Sequence, residues 1–305
     1  MNIAIIGASG FLGTQLVDHL LTDTNNTIRA ISRNASRMKI KPEFANRLKT
    51  IDADIMDVDE IASSIQGTDV VYYLVHLMGH ENKDFYTEEA RAANNFSAAA
   101  LAVGVPRVIY MGGLGDDSDK LSLHLASRHN SGKILREKLP LVLEFRASMI
   151  VGNGSVAFDI MRSLVKHMPI MTLPRWSISR TQPIALADAM EYLIQAATIP
   201  LEQSQIIEIG GPEILTYKEL YGRYARWTGR NPLIVRVPFL PEWLGGLVLN
   251  FFTPTIHAKI GRVMVNSMRN DMIVTASDAQ LLFPNITPRG IEEAFAEAKK
   301  VEMVK

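Results

Sequence analysis

His124 and Arg128 are the two side chains whose types and spacing most directly suggest chemistry. They lie four residues apart in the segment HLASR, so a helix would place them one above the other on a single face. A neutral imidazole accepts or donates a proton near neutral pH, whereas a guanidinium keeps its charge and holds hydroxyls or phosphates. The pair is therefore either an acid–base and ligand-binding site or two solvated residues on a surface helix. We expect the charge of Arg128 to lower the pKa of His124, because a like charge disfavours the imidazolium.

A glycine-rich loop lies near the start of the chain, directly after a short apolar segment. NIAII (2–6) has the pattern of a buried strand, and GASGFLG follows it in G-x-x-G-x-x-G spacing. Leucines then recur at helical spacing, and TIRAI (27–31) is a second predicted strand. Such a unit binds a dinucleotide, because glycines admit a tight turn and the close approach of a pyrophosphate, and a helix N-terminus favours phosphates. The alternative is a purely structural turn. The cofactor-binding residues predicted in this loop are Gly7, Ser9, Gly10, Phe11, Leu12 and Gly13.

The residues after the second predicted strand indicate which dinucleotide binds. An acidic residue there hydrogen-bonds the ribose 2′-OH of NAD, whereas a basic residue accommodates the 2′-phosphate of NADP. This chain has Ser32 and Arg33 at that place and Arg37 shortly after, with no Asp or Glu in residues 29–41. We therefore predict NADP(H) as the preferred cofactor, with NAD(H) as the alternative. The same basic residues could instead belong to a solvated loop.

Strands and helices alternate along the first two thirds of the chain. Beyond the glycine loop, a third strand is predicted to end within LKTIDADIMD (48–57). Further strands are predicted at 70–75, 107–113 and 141–152. The alternation predicts an α/β fold, a doubly wound parallel sheet of Rossmann type with a smaller, mostly helical C-terminal substrate or lid region. We expect the dinucleotide-binding core over 1–152, with further core elements at 181–211. The substrate or lid region is expected over 153–180 and 212–305.

Ligands of such sheets bind beyond the carboxyl ends of the strands. His76 follows the fourth predicted strand; it either lines the cofactor pocket or is a packed structural histidine. Tyr72 and Tyr73 belong to the strand itself and are predicted to be core. The residues predicted to contact the cofactor at these strand ends are Leu74, Val75, His76, Met111 and Gly112.

Several motifs together resemble the extended short-chain dehydrogenase/reductase superfamily. GASGFLG matches its nucleotide loop, ADIMD its D-[IVL]-x-D element, RASMIVGNGS its segment near the nicotinamide, and TQPIALADAMEYLIQA a later element. The combination is similar to the atypical NmrA-like and YbjT-like NAD(P)-binding proteins, over most of residues 1–215. This resemblance implies a Rossmann fold, an NAD(P) cofactor and oxidoreductase activity. It also implies that Asp54 meets the adenine and that Ile55 packs beside it.

The catalytic positions of that superfamily differ in this chain. Ordinary members use Ser, Tyr and Lys, with the Tyr and Lys in a Y-x-x-x-K helix, where Tyr moves the proton and Lys holds the ribose. The resemblance puts His124 at the Tyr position, Arg128 at the Lys position, and Gly112–Leu114, which has no hydroxyl, at the Ser position. His124 and Arg128 are thus the candidate catalytic residues, and a backbone N–H of 112–114 could stabilise an oxyanion. The alternative is a helix that still binds cofactor but no longer catalyses.

Candidate substrate residues lie in and after the sixth predicted strand and in a later loop. Arg146 could reach a phosphate or a carboxylate, or it could pair with a local acidic residue. The loop PRWSISR (174–180) could grip an anionic or planar ligand, or it could be a solvated basic loop. Asp188 is predicted to cap a helix and to fix the loop. The candidate substrate residues are Arg146, Ser148, Arg175, Trp176 and Arg180.

The amino-acid composition limits the kinds of partner and site that the protein could have. Lys plus Arg equals Asp plus Glu at 32 each, so overall charge does not support a nucleic-acid partner. The lack of cysteine excludes disulfides and thiol nucleophiles and fits a cytoplasmic protein. No His/Asp/Glu cluster has metal-ligand spacing, so no metal site is predicted. No apolar run reaches the ~18 residues of a membrane span. The apolar and basic stretch Leu240–Arg269 is expected to cap the substrate cleft, although it could lie on a membrane surface or against a protein partner.

Two hypotheses of function follow from these observations. The first is an NADP(H)-binding atypical oxidoreductase that acts on a small or lipophilic carbonyl or quinone. The second is a non-catalytic nucleotide-binding protein, either a redox sensor or a structural or assembly factor, because all three catalytic positions depart from the superfamily. A small-molecule substrate or effector is expected in both.

Overall fold

The chain folds around a parallel sheet; the structure, a computed structural model, describes residues 1–23, 25–38, 41–77, 85–237, 266–276 and 278–303. Within these residues the strands are β1 (Asn2–Ile6), β2 (Thr27–Ser32), β3 (Leu48–Asp52), β4 (Val70–Tyr73), β5 (Val108–Gly113), β6 (Val142–Ala147), β7 (Ile150–Val151), β8 (Ile170–Leu173), β9 (Arg180–Thr181), β10 (Ile184–Ala185), β11 (Gln205–Ile209), β12 (Leu215–Thr216) and β13 (Leu233–Arg236). The helices are α1 (Phe11–Asp23), α2 (Val58–Ile65), α3 (Phe85–Ala102), α4 (Leu123–Lys138), α5 (Val156–His167), α6 (Leu186–Ala196), α7 (Tyr217–Trp227), α8 (Asp278–Leu282) and α9 (Ile291–Met303).

The central sheet explains where a ligand can bind. Of the strands described here, seven form it, in the order β3-β2-β1-β4-β5-β6-β11 with all neighbours parallel. The chain runs from β1 outward to β3 and then returns to β4 on the other side of β1, so the strand order reverses there. Doubly wound sheets bind ligands at this switch point, beyond the carboxyl ends of the strands. The predicted fold class is confirmed.

The strands are apolar on both faces because helices cover both sides of the sheet. All four residues of β4 are buried, including Tyr72 and Tyr73. The Tyr72 hydroxyl donates to the Leu193 carbonyl of α6 at 2.7 Å. The Tyr73 ring lies 4.8 Å from the ring of Phe96 of α3, on the opposite face. Both tyrosines are core residues, as the sequence predicted.

The sixth predicted strand, 141–152, is two strands in the structure. β6 ends at Ala147 in the central sheet, whereas β7 pairs with β10 outside it. The change of partner occurs at Ser148, whose hydroxyl donates to the Gln182 carbonyl at 2.6 Å. The next amide contact, Ile184 N–H to the Met149 carbonyl, continues this pairing. The prediction of one continuous strand was wrong because a segment distant in sequence captures its second half.

A second apolar cluster lies outside the central sheet, between α5, α7 and α9. The Phe158 ring of α5 lies 5.6 Å from Tyr224 of α7 and 6.1 Å from Phe295 of α9. The chain reaches this cluster through a loop fixed by the fully buried carboxylate of Asp188, which accepts bonds from the backbone and guanidinium of Arg289. The prediction that Asp188 caps a helix was therefore wrong: α6 begins two residues earlier and the carboxylate points to the C-terminal loop.

Part of the predicted contact stretch Leu240–Arg269 lies outside the described residues, which resume at residue 266. No helix in the described ranges is long and apolar enough to cross a membrane.

Candidate functional site

The glycine loop joins β1 to α1 at the switch point. Gly7 has a φ of +86°, and a Cβ added there would lie 2.7 Å from the Leu74 carbonyl oxygen. A Cβ on Gly13 would lie 2.3 Å from the Gly7 carbonyl oxygen. Both distances are shorter than side chains tolerate, so these two positions require glycine. The loop therefore keeps the open backbone surface at a helix N-terminus that a pyrophosphate needs.

The glycine loop also meets the chain that follows β6. The ring of Phe11 lies against Gly154, where an added Cβ would be 3.2 Å from the ring. The loop after β7 thus packs against the first residue of α1. Ser9 and Gly10 are exposed, whereas Leu12 and Phe11 are half-buried.

The end of β2 carries a carboxylate neighbour that the sequence did not reveal. Ser32 and Arg33 lie at the predicted place, and Arg33 is exposed. Asp52, at the paired end of β3, accepts bonds from the backbone N–H of Ser36 at 2.9 Å and from its hydroxyl at 2.7 Å. This carboxylate fastens the turn after β2. The side chain of Arg37, in the same turn, lies outside the described part of the structure.

Asp54 and Ile55 occupy the loop after β3. The Asp54 carboxylate accepts from the Met56 N–H at 3.0 Å, and the Asp54 N–H donates to Glu60 at 2.9 Å. Asp54 is exposed, whereas Ile55 is buried in the sheet core. An adenine contact at Asp54, which the resemblance implies, stays a prediction.

His76 and His124 form a pair beside the end of β4. Their Nε2 atoms are 3.2 Å apart, and their ring centroids are 5.1 Å apart. Nδ1 of His124 lies 2.8 Å from the Ser267 hydroxyl. Ser267 in turn lies 3.0 Å from the hydroxyl of Ser122, which caps α4. The structure thus joins two residues that were predicted separately, and both ring nitrogens of His124 contact protein groups.

Glu89 is the functional candidate that sequence reasoning missed. It lies on the buried face of α3, and its side chain is only 4% exposed. Its Oε1 lies 2.6 Å from Nδ1 of His76 and accepts from the Leu77 N–H at 3.1 Å. Its other oxygen accepts from the Ser127 hydroxyl. A lone acid on the apolar side of an alanine-rich helix was the available signal, because carboxylates are rarely buried without a partner.

The surroundings of these groups shift their protonation. Burial raises the pKa of the Glu89 carboxyl, but the hydrogen bond and charge of His76, the Arg128 charge and the Ser127 hydroxyl together lower it below its usual value. Loss of solvation lowers the pKa of His76, and the Arg128 charge lowers it further against the opposing effect of Glu89. Loss of solvation, with His76 and Arg128, lowers the pKa of His124 to about 3. Both rings are therefore neutral at pH 7, and the expected direction for His124 is confirmed.

Arg128 connects the ends of two sheet strands. It is 8% exposed, and its guanidinium donates to the Val75 carbonyl at 3.1 Å and to the Met111 carbonyl. The guanidinium carbon also lies 4.9 Å from the centre of the Tyr110 ring. Arg128 thus fixes the distance between β4 and β5 at their carboxyl ends. A contact from Arg128 to the cofactor, which the resemblance implies, stays a prediction.

The end of β5 is held by a second polar network. The Leu114 N–H donates to the Ala147 carbonyl at 3.0 Å, so this member of the three candidate oxyanion donors is already bonded. Nε2 of His129 lies 2.9 Å from the Gly113 carbonyl, and Nδ1 contacts the Asp117 carboxylate. Gly112 is buried, as is Met111 before it.

Arg146 has the ion pair that was named as the alternative to a substrate contact. Its guanidinium donates to Glu144 at 2.8 Å and to Asp117 at 3.1 Å. Glu144 is fully buried and also pairs with Arg136 of α4. Gly132 lies directly over this carboxylate, where an added Cβ would be 2.2 Å from a Glu144 oxygen. Glu144 and Gly132 therefore set how closely α4 packs on the sheet.

The other candidate substrate residues do not converge on one point. The Ser148 hydroxyl donates to the Gln182 carbonyl. Arg180 pairs with Asp271 at 2.8 Å and is about half exposed. The Trp176 ring lies 5.7 Å from that of Tyr217, at right angles to it. The side chain of Arg175 is outside the described part of the structure. No group of three or more metal-binding side chains occurs among the described residues.

Comparisons with known proteins define the class of the sheet domain. Residues 7–148 match a family described as NAD(P)H-binding. Residues 7–148 form an NAD(P)H-binding domain. The match starts at the first glycine of the loop and ends just after β6, so it contains the histidine pair and Glu89. This match agrees with the NAD(P)-binding Rossmann domain that the resemblance to the atypical extended short-chain dehydrogenase/reductase superfamily implies.

Relatives of the whole chain are distant. The chain is 23% identical over 315 residues to mouse "NADH dehydrogenase [ubiquinone] 1 alpha subcomplex subunit 9, mitochondrial", covering 99% of this chain and 79% of that protein. A nucleoside-diphosphate-sugar epimerase from Staphylococcus aureus has a TM-score of 0.75 at 16% identity, covering 97% of this chain and 100% of that one. An NADPH-dependent quinone oxidoreductase from Escherichia coli has a TM-score of 0.72 at 16% identity, covering 99% and 100%. The NAD(P)H-binding domain thus shares its fold with both epimerases and reductases.

Proposed function

We propose that this protein is an NADP(H)-dependent oxidoreductase that acts on a small or lipophilic carbonyl or quinone. The observation that carries the proposal is the His76–His124 pair beside the nucleotide loop. Leu74, whose carbonyl oxygen would lie 2.7 Å from a Cβ at Gly7, is two residues from His76 in the chain. When bound, the nicotinamide supplies or accepts the hydride. The pair supplies the proton at the position where the superfamily ordinarily has its Tyr.

The nucleotide loop is proposed to hold the dinucleotide through its backbone. Gly7, Gly10 and Gly13 leave room for a pyrophosphate at the N-terminus of α1, whose dipole favours negative charge. The side chains of Ser32 and Arg33 are proposed to meet the 2′-phosphate of NADP. Two features support this preference: Arg33 is exposed at the end of β2, and the neighbouring Asp52 carboxylate already accepts two bonds from Ser36.

A second candidate function rests on the bonds that His124 and Arg128 make. Both ring nitrogens of His124 contact protein groups, and the Arg128 guanidinium donates to two backbone carbonyls. A protein with these contacts kept intact would bind NADP(H) without turnover, as a redox sensor or a structural or assembly factor. The mouse relative, named as a subunit of NADH dehydrogenase, is in line with that role.

Titration of NADPH and NADH against the protein separates these functions. The first function predicts tight NADPH binding and oxidation of NADPH, followed by its absorbance, with at least one member of a carbonyl and quinone panel. Tight binding without turnover across the panel would favour the second function. Binding of neither dinucleotide would contradict both.

Arg33→Asp tests the cofactor preference. The substitution removes one cation–phosphate contact and adds a like charge, so we expect the ratio of NADPH to NADH affinity to fall about 10–100-fold. Arg226→Asp on α7 changes the net charge equally at an exposed position and serves as the control. An unchanged ratio in Arg33→Asp would refute the assignment of Arg33 to the 2′-phosphate.

Location and further contacts also form part of the proposal. The lack of cysteine supports the cytoplasm as the proposed compartment, which cell fractionation tests. The apolar and basic composition of Leu240–Arg269 supports contact with a membrane surface or a protein partner. Co-sedimentation with vesicles that contain anionic lipid, at low and high salt, tests the membrane contact.

A further inference from the structure

The contacts of the histidine pair restrict where its protons lie. The Glu89 carboxylate only accepts hydrogen bonds, so Nδ1 of His76, 2.6 Å away, must donate. A neutral His76 then has a lone pair on Nε2, and Nε2 of His124, 3.2 Å away, must donate to it. Nδ1 of His124 is then the acceptor for the Ser267 hydroxyl at 2.8 Å. Each ring nitrogen of the neutral pair thus has a partner.

The same contacts persist when the neutral pair, which holds two protons, takes up one more. His76 then carries protons on both nitrogens and donates from Nε2 to Nε2 of His124. The remaining proton of His124 lies on Nδ1, where the Ser267 oxygen accepts it. In both states a single proton lies between the two Nε2 atoms. In the charged state Glu89, buried and within hydrogen-bond distance of His76, offsets the positive charge.

We propose that His76 and His124 hold one transferable proton between their Nε2 atoms, and that Glu89 is the positioning residue that balances the charge of the pair. The proposal rests on the proposed oxidoreductase function and names the acid–base group of that reaction. It adds the position of the proton and the role of Glu89 to the acid–base role proposed for His76 and His124.

Reduction and oxidation each transfer one hydride and one proton. In reduction the carbonyl carbon receives the hydride with its electron pair, the C=O π pair moves to the oxygen, and that oxygen takes the shared proton from the charged pair. Both rings are then neutral, each with its remaining proton on Nδ1, and solvent restores the shared proton through His76, whose side chain is 31% exposed. In oxidation of an alcohol the carbon gives up its hydride, and the neutral pair with its protons on the two Nδ1 atoms takes the hydroxyl proton between its Nε2 atoms. The charge that forms on His76 lies beside Glu89.

The direction of the pH dependence follows from the surroundings of the pair. Glu89 from α3 and Arg128 from α4 are the charged groups that act on it among the described residues. Loss of solvation and the Arg128 charge lower the pKa of His76, so the neutral, proton-accepting form predominates at pH 7. We therefore expect alcohol oxidation to be favoured near neutral pH and reduction to accelerate as the pH falls below 7.

Nitrogen NMR of the protein with ¹⁵N-labelled histidine tests the shared proton without cofactor or substrate. A proton held between two nitrogens produces a ¹⁵N–¹⁵N coupling through the hydrogen bond, and we expect this coupling between the two Nε2 nuclei. His167→Gln, at an exposed position on α5, should leave the coupling unchanged, whereas His76→Gln should abolish it. No coupling in the wild type, with each ring titrating alike in the presence and absence of the other, would overturn the proposal.

Glu89→Gln tests the role of the carboxylate. Loss of a negative charge in contact with His76 should lower the pH at which the neutral pair takes up its additional proton by about 1–3 units. It should also lower kcat about 10–100-fold, with the KM for NADPH unchanged. Glu88→Gln, one position earlier on α3, is the matched control. If Glu89→Gln does not fold, His76→Gln, at a more exposed position, gives the same comparison of kcat and KM.

The outcomes distinguish this proposal from the proposed function. The coupling with no dinucleotide binding would leave the shared proton standing and contradict the oxidoreductase function. Turnover of NADPH without the coupling, and with kcat unchanged in Glu89→Gln and His76→Gln, would overturn the shared proton alone.

Discussion

The nucleotide end and the histidine end of the site are built in opposite ways. The nucleotide end is the backbone loop from Gly7 to Gly13. Its shape requires glycine at both of these positions, because a Cβ at either would clash with backbone atoms. The histidine end consists of side chains from separate segments, with His124 and Ser267 143 residues apart in the chain. Binding of the dinucleotide and movement of the proton are therefore assigned to different parts of the molecule. The two functions should fail independently when each end is changed.

His124→Gln is expected to have the largest effect and to separate the two ends. Removal of the acid–base group should lower kcat about 10²–10⁴-fold, while the Kd for NADPH stays the same because the loop backbone is untouched. Steady-state kinetics and a fluorescence titration of NADPH measure the two quantities, with His167→Gln as the control. A parallel loss of NADPH affinity would show that the two ends are not independent.

Gly13→Ala is expected to affect the other end. The new Cβ would lie 2.3 Å from the Gly7 carbonyl oxygen, so the loop must shift, and we expect NADPH affinity to fall about 100-fold. The histidine NMR signals should not change. Gly290→Ala is the control, because its Cβ would meet nothing closer than a Glu213 oxygen at 3.7 Å. Retained NADPH affinity in Gly13→Ala would contradict the assignment of the loop.

A smaller effect is expected on stability in acid. The pKa of His124 falls from 6.5 in the unfolded chain to about 3 in the fold. Between these values the unfolded chain binds the proton and the folded chain does not, so the free energy of unfolding falls as the pH is lowered from 6.5 to 3. Below that range His124 adds no further dependence. Thermal unfolding of the wild type and His124→Gln should show a shallower fall of Tm in the variant, and identical slopes would contradict the desolvation of His124.

Features with local signals could be predicted from the sequence, whereas contacts between distant residues could not. The glycine loop, β1 and the fold class were predicted correctly because their signals are local: glycine spacing, an apolar run and the alternation of strands and helices. His76 and His124 were both selected, but their contact was not, since 48 residues separate them. Nothing local indicates that a residue after one strand and a residue in the first turn of a distant helix will meet.

Glu89, Asp52 and the break after β6 were missed for one physical reason. Each depends on a partner supplied by tertiary packing: His76 for the Glu89 carboxylate, Ser36 for Asp52, and Gln182 for the chain at Ser148. The prediction of a helix cap at Asp188 failed similarly, because Arg289, 101 residues away, takes up its carboxylate. Sequence patterns indicate whether such residues are buried but not which residue satisfies them.

The packing of Gly132 on Glu144 limits which substitutions could accumulate at these positions during evolution. Because a Cβ at position 132 would lie 2.2 Å from the carboxylate, position 132 cannot gain a side chain while Glu144 is in place. A lineage that gains any side chain at 132 must first shorten residue 144, and it then leaves Arg136 and Arg146 without their shared anion. These four positions should therefore covary as a set among relatives, and they should do so whether or not a relative retains His124.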